Sequence, residues 1–375
     1  MSRHVQPATA AVCLCCLVLA VAGCSSSDDG AATDTTADDV DVGTDEPAAG
    51  GTADVQGNFD AAMFGDALQG VEQVDCTLDS GTTTTCLQLS FASNPVGDTD
   101  GTGTVGPYCP ESVTTPRDEA GFGVYDGPTT PGFQPMVDAA VAMDADGYDI
   151  VNDDGTINVD DLSGGPQPGL SFCLEAPFDS TLELTFLIPV EPELRAEPWE
   201  VGTVSSVGVG VSGVPFKGYT PSVTVAEAGV GGTGSGNIPS LDHCGGHPDP
   251  AGYYHWHLVP QGTNTVLASD AYDFTGRYGI TCSNPNVAFD EPASFAGLAK
   301  DGFPLYGPFD AVDGVDTQPG DVATLDECNG HTHATAEFPD GVYHYHALQD
   351  AAPNIPPCLT GSFVERDFLV DGRAR

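Results

Sequence analysis

Short runs of alternating apolar and polar residues, broken by turns rich in glycine and proline, fill this chain from about residue 58 onward. Cys86-Leu87-Gln88-Leu89-Ser90-Phe91 alternates strictly, as a half-buried strand does when successive side chains point to opposite faces. Leu182 to Ile188, Val201 to Val211 and Ser222-Val223-Thr224-Val225 are rich in β-branched or aromatic residues and read as further strands. No long stretch carries a helical apolar period between recognisable caps. With 47 Gly and 30 Pro to make turns, the pattern predicts a mainly β fold, a sandwich or irregular barrel.

The alternation carries chemistry in one short unit that occurs twice. Its first copy is Leu241-Asp242-His243-Cys244-Gly245-Gly246-His247, then a Pro-containing turn, then Gly252-Tyr253-Tyr254-His255-Trp256-His257. The second is Leu325-Asp326-Glu327-Cys328-Asn329-Gly330-His331, followed by Gly341-Val342-Tyr343-His344-Tyr345-His346. Eight of the nine histidines lie in these units, and the ninth is His4. On a strand, the aromatics of Tyr254-His255-Trp256-His257 share one face and the imidazoles the other. Imidazoles two residues apart converge on one ion, and directly opposed strands bring Cβ atoms to about 4.5–5.5 Å. If the two copies pair, His255, His257, His344 and His346 form one cluster, with His247 and His331 at its loop edge. Asp242 and Asp326 are then expected to orient the rings from behind, fixing their tautomers. The alternative is a set of buried histidines that only hydrogen-bond to carboxylates or carbonyls, in a repeat that only builds a symmetric core.

These residues resemble the YHYH-domain proteins, a mostly secreted bacterial family. The resemblance rests on Tyr343-His344-Tyr345-His346, on the variant Tyr254-His255-Trp256-His257 and on the two L-D-x-C-x-G-H lead-ins. Val207 to Phe216, Gly297 to Pro308 and Pro357-Cys358-Leu359-Thr360-Gly361 extend it, so it covers about residues 200–363. It implies a fold neighbourhood more than an activity. Trp256 stands where a second Tyr is usual and touches no ligand position.

The start of the chain reads differently. Residues 1–23 form a signal peptide, with basic Arg3 and an apolar Ala8–Ala22 too short for a confident span. Val21-Ala22-Gly23-Cys24 resembles a lipobox, so Cys24 is the expected lipidation site; a plain secretory signal is the alternative. Residues 24–57, nearly free of large apolar side chains, are expected to be an acidic disordered tether. Beyond them come a β region, 58–198, and a histidine-bearing domain, 199–375. The expected location is the cell surface or outer membrane, with the membrane met through the lipid alone; protein partners are not indicated.

Net charge is −46, from 55 acidic and 9 basic side chains. That excludes nucleic acid as a partner, since phosphate binding needs basic neutralisation. Within the acidic run Asp144–Asp161, Asn152, Asp154, Asn158 and Asp161 fit part of an EF-hand loop. Its first position fails, so the run reads either as a Ca²⁺ site or as an ordinary solvated loop.

Of 12 cysteines, eight lie beyond the leader and Cys24: Cys76, Cys86, Cys109, Cys173, Cys244, Cys282, Cys328 and Cys358. An even number in an exported chain implies disulfides. The expected pairs are Cys76–Cys86, Cys109–Cys173, Cys244–Cys282 and Cys328–Cys358. Thiolates so committed cannot bind metal, which favours Cu²⁺ or Zn²⁺ on imidazole over Cu⁺. Two G-x-G-x-x-G matches, at Gly208 and Gly229, open no helix and read as turns.

Three function classes follow: a surface module binding Cu²⁺ or Zn²⁺; a metal-dependent hydrolase or oxidase on the same histidines, with Tyr254, Tyr343 and Asp301 as acid-base candidates; or an adhesion domain without metal.

Overall fold

The computed structural model describes residues 57–93, 105–106, 108–125, 127, 132–165, 169–202, 205–219, 236–283 and 291–375. The expected signal peptide, lipidation site at Cys24 and tether, and the strand expected at Ser222–Val225, lie outside the described residues. Those from Gly51 onward belong to one compact unit.

Two sheets position everything else. A five-stranded sheet runs, edge to edge, Leu68–Thr77, Thr83–Ala92, Glu183–Pro189, Phe368–Val370 and Arg373–Ala374. The regions divided at 198/199 therefore share it. An eight-stranded sheet runs Gly246–Pro248, Tyr254–Trp256, Pro215–Lys217, Ser206–Gly210, Phe295–Ala299, Pro304–Tyr306, Val342–His346 and Gly330–His333.

The eight-stranded sheet is built the same way in both directions from its middle. Ser206–Gly210 and Phe295–Ala299 pair antiparallel at the centre. Outward from each comes an antiparallel neighbour, then a parallel one, then an antiparallel edge strand. Phe216 faces Trp256 in one half, and Leu305 faces Tyr345 in the other.

The sheets pack face to face as a sandwich, and neither closes into a barrel. Between them lie Leu89, Phe91, Phe186 and Phe368 from the smaller sheet and Val209 and Leu298 from the larger. Val207, Phe216, Trp256, Leu305 and Tyr345 project from the opposite face into a second core. Val207 and Val209 would share a face on a regular strand; the register slips at Val207, where Phe216 pairs with Gly208 and Lys217 with Ser206, and this bulge lets one strand feed both cores.

All four expected disulfides are present: Cys76–Cys86, Cys109–Cys173, Cys244–Cys282 and Cys328–Cys358. Replacing Cys328 and Cys358 together with Ala should cost about 2–5 kcal/mol of stability, the usual loss for a native bridge. Denaturant unfolding of the double variant reads this directly; an unchanged midpoint would mean the bridge does not brace the fold. Among the described residues no helix is long and apolar enough to cross a membrane.

Candidate metal centres

Each histidine unit folds by the same local logic. The Asp242 carboxylate accepts hydrogen bonds from the backbone N–H groups of Cys244 and Gly246, both at 2.9 Å. Asp326 does the same for Cys328 and Gly330, at 2.9 and 3.0 Å. The other carboxylate oxygen takes a tyrosine hydroxyl: Tyr254 for Asp242, and Tyr343 for Asp326 at 2.7 Å. To reach its Asp, each tyrosine lies across the glycine before the next histidine. A Cβ at Gly246 would stand 2.2 Å from the Tyr254 hydroxyl, and one at Gly330 2.1 Å from that of Tyr343. The glycine of C-x-G-H is thus dictated by the tyrosine of the Y-H pair.

These contacts revise the role expected for Asp242 and Asp326: they anchor the turn and a tyrosine, and backbone carbonyls orient the rings. They also take Tyr254 and Tyr343 away from the imidazole face, as alternation requires. Across each hairpin a histidine faces a histidine. His247 is directly opposite His255, and His331 is directly opposite His344.

The single cluster expected from His255, His257, His344 and His346 does not form. The strands that carry them are separated by four others, about 24 Å at the ordinary strand spacing of ~4.8 Å. Two groups form instead, each completed by its own hairpin partner. His247 and His331 are therefore members of a group and not residues of a loop edge.

The first group is His247, His255 and His257. Their Nε2 atoms converge, with His257 3.3 Å from His247 and 3.1 Å from His255. The Gly218 carbonyl lies against His257 Nδ1. His255 Nδ1 makes no hydrogen bond. All three rings are buried. Loss of water pushes His247 and His257 down to about 3 and holds His255 well below the usual imidazole range.

The second group is Asp310, His331, His333, His344 and His346. His331 Nε2 stands 3.2 Å from that of His344 and 3.1 Å from that of His346. Asp310 Oδ1 lies 2.6 Å from His333 Nε2 and 3.3 Å from His346 Nε2. Its Oδ2 is 3.3 Å from His331 Nε2 yet closes no hydrogen bond. Burial works to raise the Asp310 pKa, but His331, His344 and His346 outweigh it and hold the carboxyl well below its usual range. Burial pushes His344 down.

The Nδ1 atoms decide what this group can do. Those of His331, His333, His344 and His346 face the carbonyls of Ala323, Ala334, Val342 and Gly307, at 3.3, 2.6, 3.1 and 2.8 Å. A carbonyl only accepts, so each Nδ1 carries a proton, which turns the four Nε2 atoms inward as the positions open to a metal. Four imidazole nitrogens and a carboxylate within 4.8 Å of one another make a ligand set of the kind borderline transition ions take.

Sequence reasoning missed Asp310 and His333. His333 was detectable, since His331-Thr332-His333 is itself an i, i+2 pair at the end of a strand. Asp310, in the separate hairpin Asp310–Thr317, has no spacing that signals it. His243 joins neither group; its ring meets Phe122 edge-on. The disulfides keep Cys244 and Cys328 out of both.

A cavity of about 420 Å³ opens beside the second group and is lined by Asp310, His333, Tyr306, Thr335, Glu337, Asp316 and Glu291 among others. The Tyr306 hydroxyl donates to Glu337 at 2.7 Å. The turn at Lys300-Asp301 does not wall it. Asp301 is fully buried and accepts from Tyr345 at 2.6 Å and Gly361 at 2.9 Å. Lys300 sits between the rings of Trp199 and Phe363, 3.9 and 3.7 Å from their centres.

The Asp-rich loop gathers no comparable set. Asn152 donates to Asn158 at 2.9 Å, Asp154 accepts from Thr156, and Asp161 accepts from Ser163. Neither Asp154 nor Asp161 joins a group of three potential ligands.

Residues 185–320 and 317–361 match the family model described as YHYH protein. No curated relative and no solved structure matches the chain.

Proposed function

We propose, from the premise that this chain belongs to the YHYH protein family, that it is an exported protein whose histidine groups bind transition-metal ions, Zn²⁺ or Cu²⁺. One observation carries the reading. In the Asp310 group four imidazoles spend their Nδ1 protons on backbone carbonyls, which turns four Nε2 atoms toward one carboxylate, a set that a cation can bind. Such carbonyl partners fix the tautomer a metal ligand needs. The His247 group offers three nitrogens and is the second site. Export is supported by the leader and by four disulfides, which persist in oxidising compartments. Anchoring through Cys24 belongs to the same proposal.

A catalytic version, a metal-dependent hydrolase or oxidase, is favoured by one feature: the cavity that reaches Asp310 and His333. It gives the Asp310 site an open side where a water or substrate enters.

Elemental mass spectrometry of the purified full chain after equilibration with Zn²⁺ or Cu²⁺ tests the reading. Two ions per chain are expected. A chain that stays free of both metals overturns it.

A further inference from the structure

We infer that the two groups hold metal on different terms. The His247–His255–His257 group keeps a permanent ion, and the Asp310 group is an exchange port that takes a hydrated divalent cation from solution. This rests on the metal reading above and adds to it a route, a gate ligand and a division of labour.

The route is the cavity of about 420 Å³. It touches two members of the second group, Asp310 and His333, and none of the first. Its lining includes the carboxylates of Glu291, Asp316 and Glu337 and no lysine or arginine. A cleft lined by one sign of charge concentrates counter-ions and raises their arrival rate about 10–10³-fold. At its inner end sits the Asp310 carboxylate, only 3 % exposed, with an Oδ2 that closes no hydrogen bond. The acidic lining therefore leads to an unsatisfied, buried oxygen.

The gate is His333. Its side chain is 16 % exposed, against 1 % or less for His331, His344 and His346. It lies at the end of an edge strand with one neighbour, and its Nδ1 is held only by the carbonyl of the next residue, Ala334. An ion leaves a multidentate site when one ligand detaches and solvent takes its place. His333 is the ligand that can detach into the cavity without breaking a packed core. In the first group every ring is at least 96 % buried, so no ligand has solvent to yield to.

The experiment uses the full chain saturated with natural-abundance zinc and then mixed with an excess of a heavy zinc isotope, with isotope ratios followed by mass spectrometry. Half of the bound zinc should turn over fast and half slowly. His346→Ala should lose the fast phase, and His257→Ala the slow one. Glu291→Gln with Asp316→Asn should slow zinc uptake by the metal-free Asp310 site about 10-fold at low ionic strength while the protein still holds two ions, and added salt should narrow that difference. A two-ion chain whose zinc exchanges in a single phase overturns this inference and leaves the metal reading standing. So does zinc uptake at the Asp310 site that the double substitution leaves untouched. A chain that takes up no zinc overturns both.

Discussion

Replacing His346 with Ala is expected to halve the metal content of the saturated protein and to remove about 4 kcal/mol of metal-linked stability, at free ion about a thousand times its dissociation constant. His346 is the ring most enclosed by its group: fully buried, with Nε2 3.1 Å from that of His331 and 3.3 Å from Asp310. Its loss leaves the second set short of a nitrogen. It also strips the Gly307 carbonyl of its donor, which costs the metal-free protein about 1–3 kcal/mol for an unpaired buried acceptor. The two costs separate by measuring unfolding with chelator and with zinc. The gap between those conditions is the ion's contribution, and the variant should show about half the wild-type gap. A variant that still holds two ions, or a wild type that zinc does not stabilise, would refute the assignment.

Acid should destabilise the metal-free protein steeply. His247 and His257 are pushed from near 6.5 down to about 3 by burial, and His255 moves the same way. Between those limits the unfolded chain binds protons that the folded chain refuses, so stability falls as pH falls. The stabilisation is complete above about pH 6.5 and is lost progressively toward pH 3. At about pH 5 each of His247 and His257 accounts for roughly 2 kcal/mol lost. Glu175, Asp301 and Asp367, raised by burial, work in the opposite direction, since the folded state then holds the extra proton. Their effect begins as pH falls through the raised native values and is complete at the unfolded carboxylate range, so the net descent is the histidine loss less this gain. Urea midpoints in chelator at about pH 7, 6 and 5 measure this. A flat profile would show that these rings accept protons in place.

Much of this was legible in the residues themselves. Alternation in Tyr343-His344-Tyr345-His346 sorts rings from imidazoles, and the structure places Tyr345 in the core and His344 and His346 on the other face. The cysteine spacings pointed to the right bridges. The count of clusters was not legible, because strand order is a property of the whole sheet. Nothing in the two motifs says that Ser206–Gly210, Pro215–Lys217, Phe295–Ala299 and Pro304–Tyr306 come between them. Asp310 was hidden for a related reason: it reaches the imidazoles from a hairpin of its own, where only tertiary packing brings a carboxylate to that point. The roles of Asp242 and Asp326 were misjudged because an Asp beside a His in sequence invites pairing, whereas the turn's free N–H groups are nearer still.

The smaller sheet has one more consequence. Its strand Glu183–Pro189 acquires a second neighbour only from Phe368–Val370, almost two hundred residues later. Until synthesis has passed Val370, that strand keeps one row of N–H and C=O groups unmatched, an invitation to mispair with other chains. The smaller sheet thus closes only on a segment distant in sequence, and a nascent form clipped before Asp367 would carry a sticky flank in place of a finished one.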